Sequence, residues 1–299
     1  MHYSMNGIIN VLKPPGMTSF DVVAYLRKLL QIKKIGHTGT LDPGTAGVLP
    51  LCIGNATKAI EYFTDKGKEY RAELTLGVST DTQDSTGRVI RTSDILPERE
   101  QILETINSFI GKQMQVPPMY SAVSIDGVRL YKLARNGVEV ERPPREIEIY
   151  SIDILSIIQN KKIIFDVKCS KGTYVRTLCA DIGEKLGCGG HMSFLLRTAA
   201  GNFKLQDAVT LEEIKRKAEE NRIEEILIPT DSALNQFGYV KLNNEDQKKL
   251  INGAYVPIRY NMIDDELVRV YDSSGNFIAL AEVNSRYGNK FLKSKKLFL

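Results

Sequence analysis

Gly36-His37-Thr38-Gly39-Thr40-Leu41-Asp42-Pro43-Gly44-Thr45-Ala46-Gly47 holds a single carboxylate in a glycine-rich loop pinned by one proline. Pro43 fixes its own φ and biases Asp42 away from the helical region, so the stretch reads as an extended turn. The glycines let a ligand come close to the main chain. No Lys, Arg or second acid lies within the stretch, so any partner for Asp42 comes from elsewhere in the chain. An isolated Asp-Pro-Gly is more often an Asx turn, in which the carboxylate caps its own backbone. The flanking sequence reverses that reading.

Upstream, Ile8-Ile9-Asn10-Val11-Leu12 is strand-like and leads to Lys13. Thr18 to Asp21 reads as a capping box, after which Val22, Val23, Leu26, Leu29 and Leu30 form one apolar helical face. Downstream, Asn55-Ala56-Thr57-Lys58 opens a helix through Phe63. Residues 69–77 alternate, with Tyr70, Ala72, Leu74 and Leu76 on one face, which predicts a half-buried strand with Tyr70 inward near its start. A charged helix is expected near 97–110. It precedes a mostly irregular insertion, 115–145, rich in Tyr, Lys and Arg. Residues 162–169 alternate again, and after the Ser170-Lys171-Gly172-Thr173 turn a helix carries Val175, Leu178, Cys179, Ile182 and Leu186 on one face. Tyr174 and Arg176 therefore sit where a strand hands over to a helix, a favoured place for functional groups. An amphipathic helix over 211–226 and the run Ile228-Pro229-Thr230-Asp231 close a first domain, 1–231. In a second, 232–299, a helix at 243–252 precedes a hairpin of 267–272 and 277–284 over Ser273-Ser274-Gly275-Asn276.

The run from Gly36 to Lys58, GHTGTLDPGTAGVLPLCIGNATK, resembles the catalytic motif of the TruB family of tRNA pseudouridine synthases. Asn10 to Ser19, NVLKPPGMTS, is similar to that family's first motif. Lys68 to Ala72 (KEYRA), Val116 to Ala122 (VPPMYSA) and Lys171 to Leu178 (KGTYVRTL) follow in the family's order, so the matches span residues 8–200. The resemblance implies an α+β pseudouridine-synthase fold: a central mixed, largely antiparallel sheet flanked by helices. It also implies an RNA-clamping role for 115–145 and a small, β-rich, PUA-like RNA-binding domain at 232–299.

Its functional implication is isomerisation of uridine to pseudouridine at position 55 in the T-loop of tRNA, by base flipping and rearrangement of the glycosidic bond. Asp42 would be the catalytic carboxylate, acting as nucleophile or general base. Arg176 would pair with it, opposing the rise in pKa that a dry pocket imposes. Tyr70 would stack on the flipped base, recovering about 1–3 kcal/mol of an unstacking cost of a few kcal/mol. Tyr174 and Leu195 would line the pocket, with the neighbouring Leu196 leaving the register open by one, and His37 would fill the space the nucleotide vacates. Lys13 is either a support beneath the loop or a phosphate contact, and Arg129, Lys132 and Arg135 are available for phosphates. The C-terminal module and the intact insertion resemble the stand-alone bacterial branch, which implies action without a guide RNA. A tRNA-binding or folding factor using the same surface is the alternative.

Composition agrees with this reading and excludes others. A chain of 299 residues exceeds one ordinary core, which makes two domains the expectation. No apolar run reaches membrane-span length and Met1 to Asn6 shows no signal-peptide pattern, so a cytoplasmic location is expected. Cys52, Cys169, Cys179 and Cys188, with only His2, His37 and His191, lack zinc-ligand spacing and read as buried reduced thiols. There is no GxGxxG and no glycine-rich loop ending in Gly-Lys-Ser/Thr. No cofactor or metal is expected, as suits a net isomerisation. The net charge of +4 decides nothing, but its placement does. Lys13, Arg27, Lys28, Lys33, Lys34 and Lys58 face only Asp21 and Asp42 in residues 1–60, and Lys290, Lys293, Lys295 and Lys296 follow the last acid, Glu282. Two basic zones suit a polyanion that touches both ends. A two-carboxylate hydrolase would need a second acid beside Asp42. Asp81 and Asp84 lie in a polar turn and are discounted. Monomer is the default for the assembly.

Overall fold

A computed structural model describes residues 5–299 other than 65, 126, 259–261 and 287, so the first four residues of the N-terminal run lie outside the described residues. The chain lays down β1 (Gly7–Lys13), α1 (Ser19–Leu30), β2 (Ile35–His37), β3 (Ala46–Ile53), α2 (Ile60–Thr64) and β4 (Lys68–Leu76). A ribbon of β5 (Val78–Thr80) and β6 (Val89–Thr92) leads to α3 (Arg99–Asn107) and β7 (Gly111–Gln115). The insertion contains a hairpin, β8 (Ser124–Ile125) and β9 (Val128–Arg129), and α4 (Leu130–Arg135). Then come β10 (Arg145–Ile158), β11 (Lys162–Cys169), α5 (Val175–Lys185), β12 (Gly190–Ala200), β13 (Phe203–Lys204), α6 (Leu211–Glu219) and α7 (Thr230–Ala233).

The main sheet runs β1-β3-β12-β4-β11-β10-β7, with β2 on β3 and β13 on β12. Its pairings are antiparallel except the short parallel join of β12 to β3, at Leu196↔Ala46 and Arg197↔Gly47. That is the mixed, mainly antiparallel sheet expected. β4 lies centrally, and its Ala72, Leu74 and Leu76 pack with Val175, Leu178, Cys179 and Ile182 of α5. Each such fully buried aliphatic side chain contributes about 1.5–3 kcal/mol. α1 begins at the anticipated capping box, in which Thr18 Oγ1 accepts from the Asp21 amide and Asp21 accepts from the Thr18 amide. It covers the other part of the sheet, packing Val22, Val23 and Leu26 on Ile9, Val11, Leu49 and Leu51.

Several elements differ from the sequence reading for local reasons. The 211–226 segment is not one helix: α6 ends at Glu219, Asn221 takes a left-handed φ of 55°, and a 3₁₀ turn covers Ile223–Ile226. Residues Gly54–Ala59 form a 3₁₀ turn before α2. The insertion is more ordered than a loop, because Leu130 is fully buried and the amides of Leu130 and Tyr131 donate to the carbonyls of Val123 and Ser121. β10 carries no clean alternation in the sequence, because bulges between Ile149 and Ser151 and between Ile154 and Ser156 break it.

The C-terminal part builds a five-stranded sheet, β14-β16-β17-β18-β15, from β14 (Gly238–Lys241), β15 (Val256–Ile258), β16 (Leu267–Tyr271), β17 (Phe277–Arg286) and β18 (Asn289–Leu297). α8 (Asn244–Ile251) packs Leu250 into its core. A shared apolar cluster joins the two sheets, with Leu234 and Leu280 against Ile8, Val48 and Phe63. Asn55 Nδ2 and Lys58 Nζ donate to the carbonyls of Leu299 and Leu297, which clasps the last strand onto the first sheet. All four cysteines are buried and unpaired. Among the described residues no helix is long and apolar enough to cross a membrane.

Candidate active site

The Asp42 loop spans the gap between β2 and β3 and is held from three sides. At the start of α1, Ser19 Oγ accepts from the Leu41 amide at 2.8 Å and donates to the Leu41 carbonyl at 3.2 Å. The Gly16 amide donates to the Pro43 carbonyl, and the Thr45 amide closes the turn onto the Asp42 carbonyl. Beneath the loop Lys13 is fully buried, its Nζ donating to the carbonyls of Pro14, Met17 and Pro43. Those three bonds occupy all three ammonium hydrogens, so Lys13 stands as a support rather than a phosphate contact.

Burial pushes the Lys13 pKa down to about 8 from 10.5, and the Asp42 charge acts against that fall. Between those two values the unfolded chain holds a proton that the folded chain has released. Stability contributed by Lys13 therefore rises with pH across that window. The unfolding free energy of the wild type minus that of Lys13→Met should climb from pH 8 to 10.5. A flat difference would show that this lysine does not titrate there.

Asp42 reaches its partner across the fold. Its Oδ2 lies 3.1 Å from Nη2 of Arg176, whose side chain is 6% exposed while that of Asp42 is 45% exposed. Arg176 sits in the first turn of α5, just after the Ser-Lys-Gly-Thr turn, and its guanidinium lies 5.8 Å from the Tyr174 ring centroid. Nη2 also donates to the Tyr120 carbonyl at 2.7 Å, which ties the insertion to the site. A cavity of about 230 Å³ beside the ion pair is lined by Asp42, Tyr70, Tyr174, Arg176 and Leu195. Leu195 and not its neighbour Leu196 is among the lining residues. A larger cavity of about 710 Å³ adjoins it, sharing Asp42 and Arg176 and adding His37, Arg129, Tyr131 and Arg135. Lys132 lines neither cavity. The His37 ring accepts from the Gly39 amide through Nδ1, and burial, aided by the Arg197 charge, lowers its pKa and keeps it neutral.

Two further residues join the site through tertiary contacts. Asp84 Oδ2 lies 3.7 Å from Arg176 Nη1, so the arginine stands between two carboxylates. The 80–86 turn is polar as expected: Asp84 Oδ1 accepts from the Thr86 amide and the hydroxyls of Thr82 and Thr86. What sequence could not show is that the turn docks on β12 and α5, with the Met192 amide donating to the Gln83 carbonyl and Thr177 Oγ1 to Gln83 Oε1. Arg197 is the second. It is 1% exposed, and the only clue was a charge inside the apolar run Phe194-Leu195-Leu196-Arg197. Among the described residues no group of His, Cys, Asp and Glu is placed to hold a metal ion.

The geometry is that of a carboxylate, oriented by a buried guanidinium, at the rim of a pocket with two aromatic walls. Such a pocket holds a planar group against a nucleophile or base. Residues 27–175 match the N-terminal domain of the TruB family pseudouridylate synthases, and residues 176–235 match a tRNA pseudouridylate synthase B C-terminal domain. The chain is 54% identical over 256 residues to tRNA pseudouridine synthase B of Alkaliphilus oremlandii, covering 86% of this chain and 84% of that protein. It is 43% identical to the protein of the same name from Caldanaerobacter subterraneus, covering 99% and 100%. Among solved structures, a Cbf5-Nop10-Gar1 complex contains a chain 27% identical with a TM-score of 0.75, covering 98% of this chain and 85% of that one. An H/ACA RNP bound to a substrate RNA containing 2'-deoxyuridine gives 25% identity and a TM-score of 0.74, covering 98% and 85%.

Proposed function

This chain belongs to the TruB family of pseudouridylate synthases, and we propose that it isomerises uridine 55 in the T-loop of tRNA with Asp42 as the reacting carboxylate. The observation that carries the residue assignment is the Asp42–Arg176 pair at the mouth of the cavity walled by Tyr70 and Tyr174. Arg176 binds one carboxylate oxygen and holds the group aimed, which leaves the other oxygen for the ribose or the base. Tyr70 offers a ring face to the flipped uracil, and Leu195 and Tyr174 close the remaining walls. The glycosidic bond breaks, the base turns within the small cavity, and C5 takes the place of N1 on the sugar. C5 gives up its proton to solvent and N1, freed from the sugar, takes one up, so product and substrate are isomers and no electrons are gained or lost.

The adjoining larger cavity, with Arg129, Tyr131 and Arg135 on its wall, suits the RNA that flanks the flipped nucleotide. His37 on the same wall suits the space the nucleotide leaves. The C-terminal sheet, with the basic strand β18, suits a second, sequence-independent contact with the tRNA, as a PUA-like module would make. The 54% and 43% identity to proteins named tRNA pseudouridine synthase B, against 27% and 25% to the chains of the Cbf5 and H/ACA assemblies, supports action without a guide RNA.

The experiment is tritium release. A T-arm transcript carrying 5-tritiated uridine should lose its label to water stoichiometrically at position 55 when mixed with the purified protein, without cofactor or guide RNA. Tight RNA binding with no release would replace the enzyme by an RNA-folding factor using the same surface.

A further inference from the structure

We propose that Arg197 is the positioning residue that holds the Asp42 loop and Tyr70 in one fixed arrangement, an assignment that rests on the enzymatic reading above. Its guanidinium spans the loop. Nη2 donates to the Gly39 carbonyl at 3.1 Å and Nη1 to the Thr40 carbonyl at 3.3 Å, both ahead of Asp42. Nε donates to the Val48 carbonyl at 2.7 Å, beyond it. One rigid side chain therefore fixes the chain on both sides of the carboxylate.

The backbone of the same residue makes a second grip. Arg197 is the strand partner of Gly47 on β3 and of Tyr70 on β4. At Gly47, with φ of +120°, a Cβ would lie 2.3 Å from the Arg197 carbonyl oxygen, so the two main chains touch as closely as glycine allows. Opposite, the Arg197 charge bears on the Tyr70 hydroxyl. Burial raises the pKa of that phenol and the guanidinium draws it back. Loop, strand and tyrosine are thus referred to a single residue.

Packing alone does not call for an arginine here. A methionine or leucine would fill the core without desolvating a cation, which costs stability when the charge is held by carbonyls rather than a carboxylate. What the guanidinium adds is direction: a planar fork of five N–H groups reaches three divergent acceptors, which a lysine ammonium on a flexible stem does not reproduce. Precise placement is what the reaction is sensitive to, since a misplacement of about 1 Å costs about 10²-fold in rate.

The test compares Arg197→Lys, which keeps the charge and loses the fork, with Arg197→Met, which loses both. Steady-state pseudouridine formation and RNA affinity are measured beside the wild type. Both variants should lose about 10²-fold in kcat while KM and RNA affinity stay within about threefold. A lysine variant with wild-type kcat overturns the proposal, as does a loss confined to KM or RNA affinity. Should either variant fail to fold, by circular dichroism, hydrogen exchange of the free wild type decides. The bonded loop amides, Leu41 on Ser19 Oγ and Thr45 on the Asp42 carbonyl, should exchange as slowly as those of β4, and fast exchange there overturns the proposal. A wild type that forms no pseudouridine sinks the enzymatic reading instead, and the exchange measurement still judges the grip itself.

Discussion

Asp42→Asn is expected to abolish pseudouridine formation, by at least about 10⁴-fold, and to leave RNA affinity unchanged or improved. The substitution keeps the shape of the side chain and removes only the charge and the nucleophilic oxygen. A step that depends on an ionised carboxylate then loses its reacting group, and losses of this order follow when such a group is removed. Affinity should hold for an electrostatic reason. The Asp42 side chain is 45% exposed at the cavity mouth, where a negative charge opposes RNA phosphates, and its removal leaves the buried Arg176 with Asp84 as counter-ion. The same half-exposure keeps the cost in stability small, about 1 kcal/mol. Tritium release gives the rate, filter binding the affinity and thermal unfolding the stability. If release and binding fell together, Asp42 would belong to the architecture of the loop rather than to the chemistry.

Arg176→Lys is expected to lower kcat by roughly 10³-fold with the fold intact. The guanidinium makes three contacts at once: Asp42 at 3.1 Å, the Tyr120 carbonyl at 2.7 Å and Asp84 at 3.7 Å. A lysine retains the charge but offers one centre in place of a planar fork, so Asp42 is no longer aimed and the insertion is no longer tied to α5. Arg176→Met goes further. It leaves Asp42 and Asp84 without a shared cation, which should cost up to about 3 kcal/mol, at the lower end for a buried pair because Asp42 is partly exposed. Full activity in Arg176→Lys would show that charge alone suffices and that the geometry of the pair is incidental.

Much of the site was legible where the controlling physics is local. Glycine and proline around Asp42 dictate an extended turn. The Thr18 capping box starts α1 as read, and strict alternation through Tyr70 to Leu76 marks β4 and the face on which Tyr70 lies. The strand-to-helix handover placed Tyr174 and Arg176 at the start of α5. What failed were elements whose pattern a neighbour overrides. The bulges in β10 hide its period, and the left-handed Asn221 cuts short a helix that periodicity would extend.

Local motifs therefore pointed, through the family they resemble, to the carboxylate, the arginine and the aromatic walls, because each motif depends on a few consecutive residues. Only the tertiary structure decided which groups share a field. It turned Lys13 from an open choice into a buried support and brought the discounted Asp84 onto Arg176. It also set Arg197 beneath a loop more than 150 residues earlier in the chain, with Thr40 and Arg197 157 residues apart. Those placements come from the parallel join of β12 to β3 and the docking of the 80–86 turn. Both are long-range contacts, whose energy lies in desolvation and hydrogen bonding between segments and leaves no local trace in the sequence.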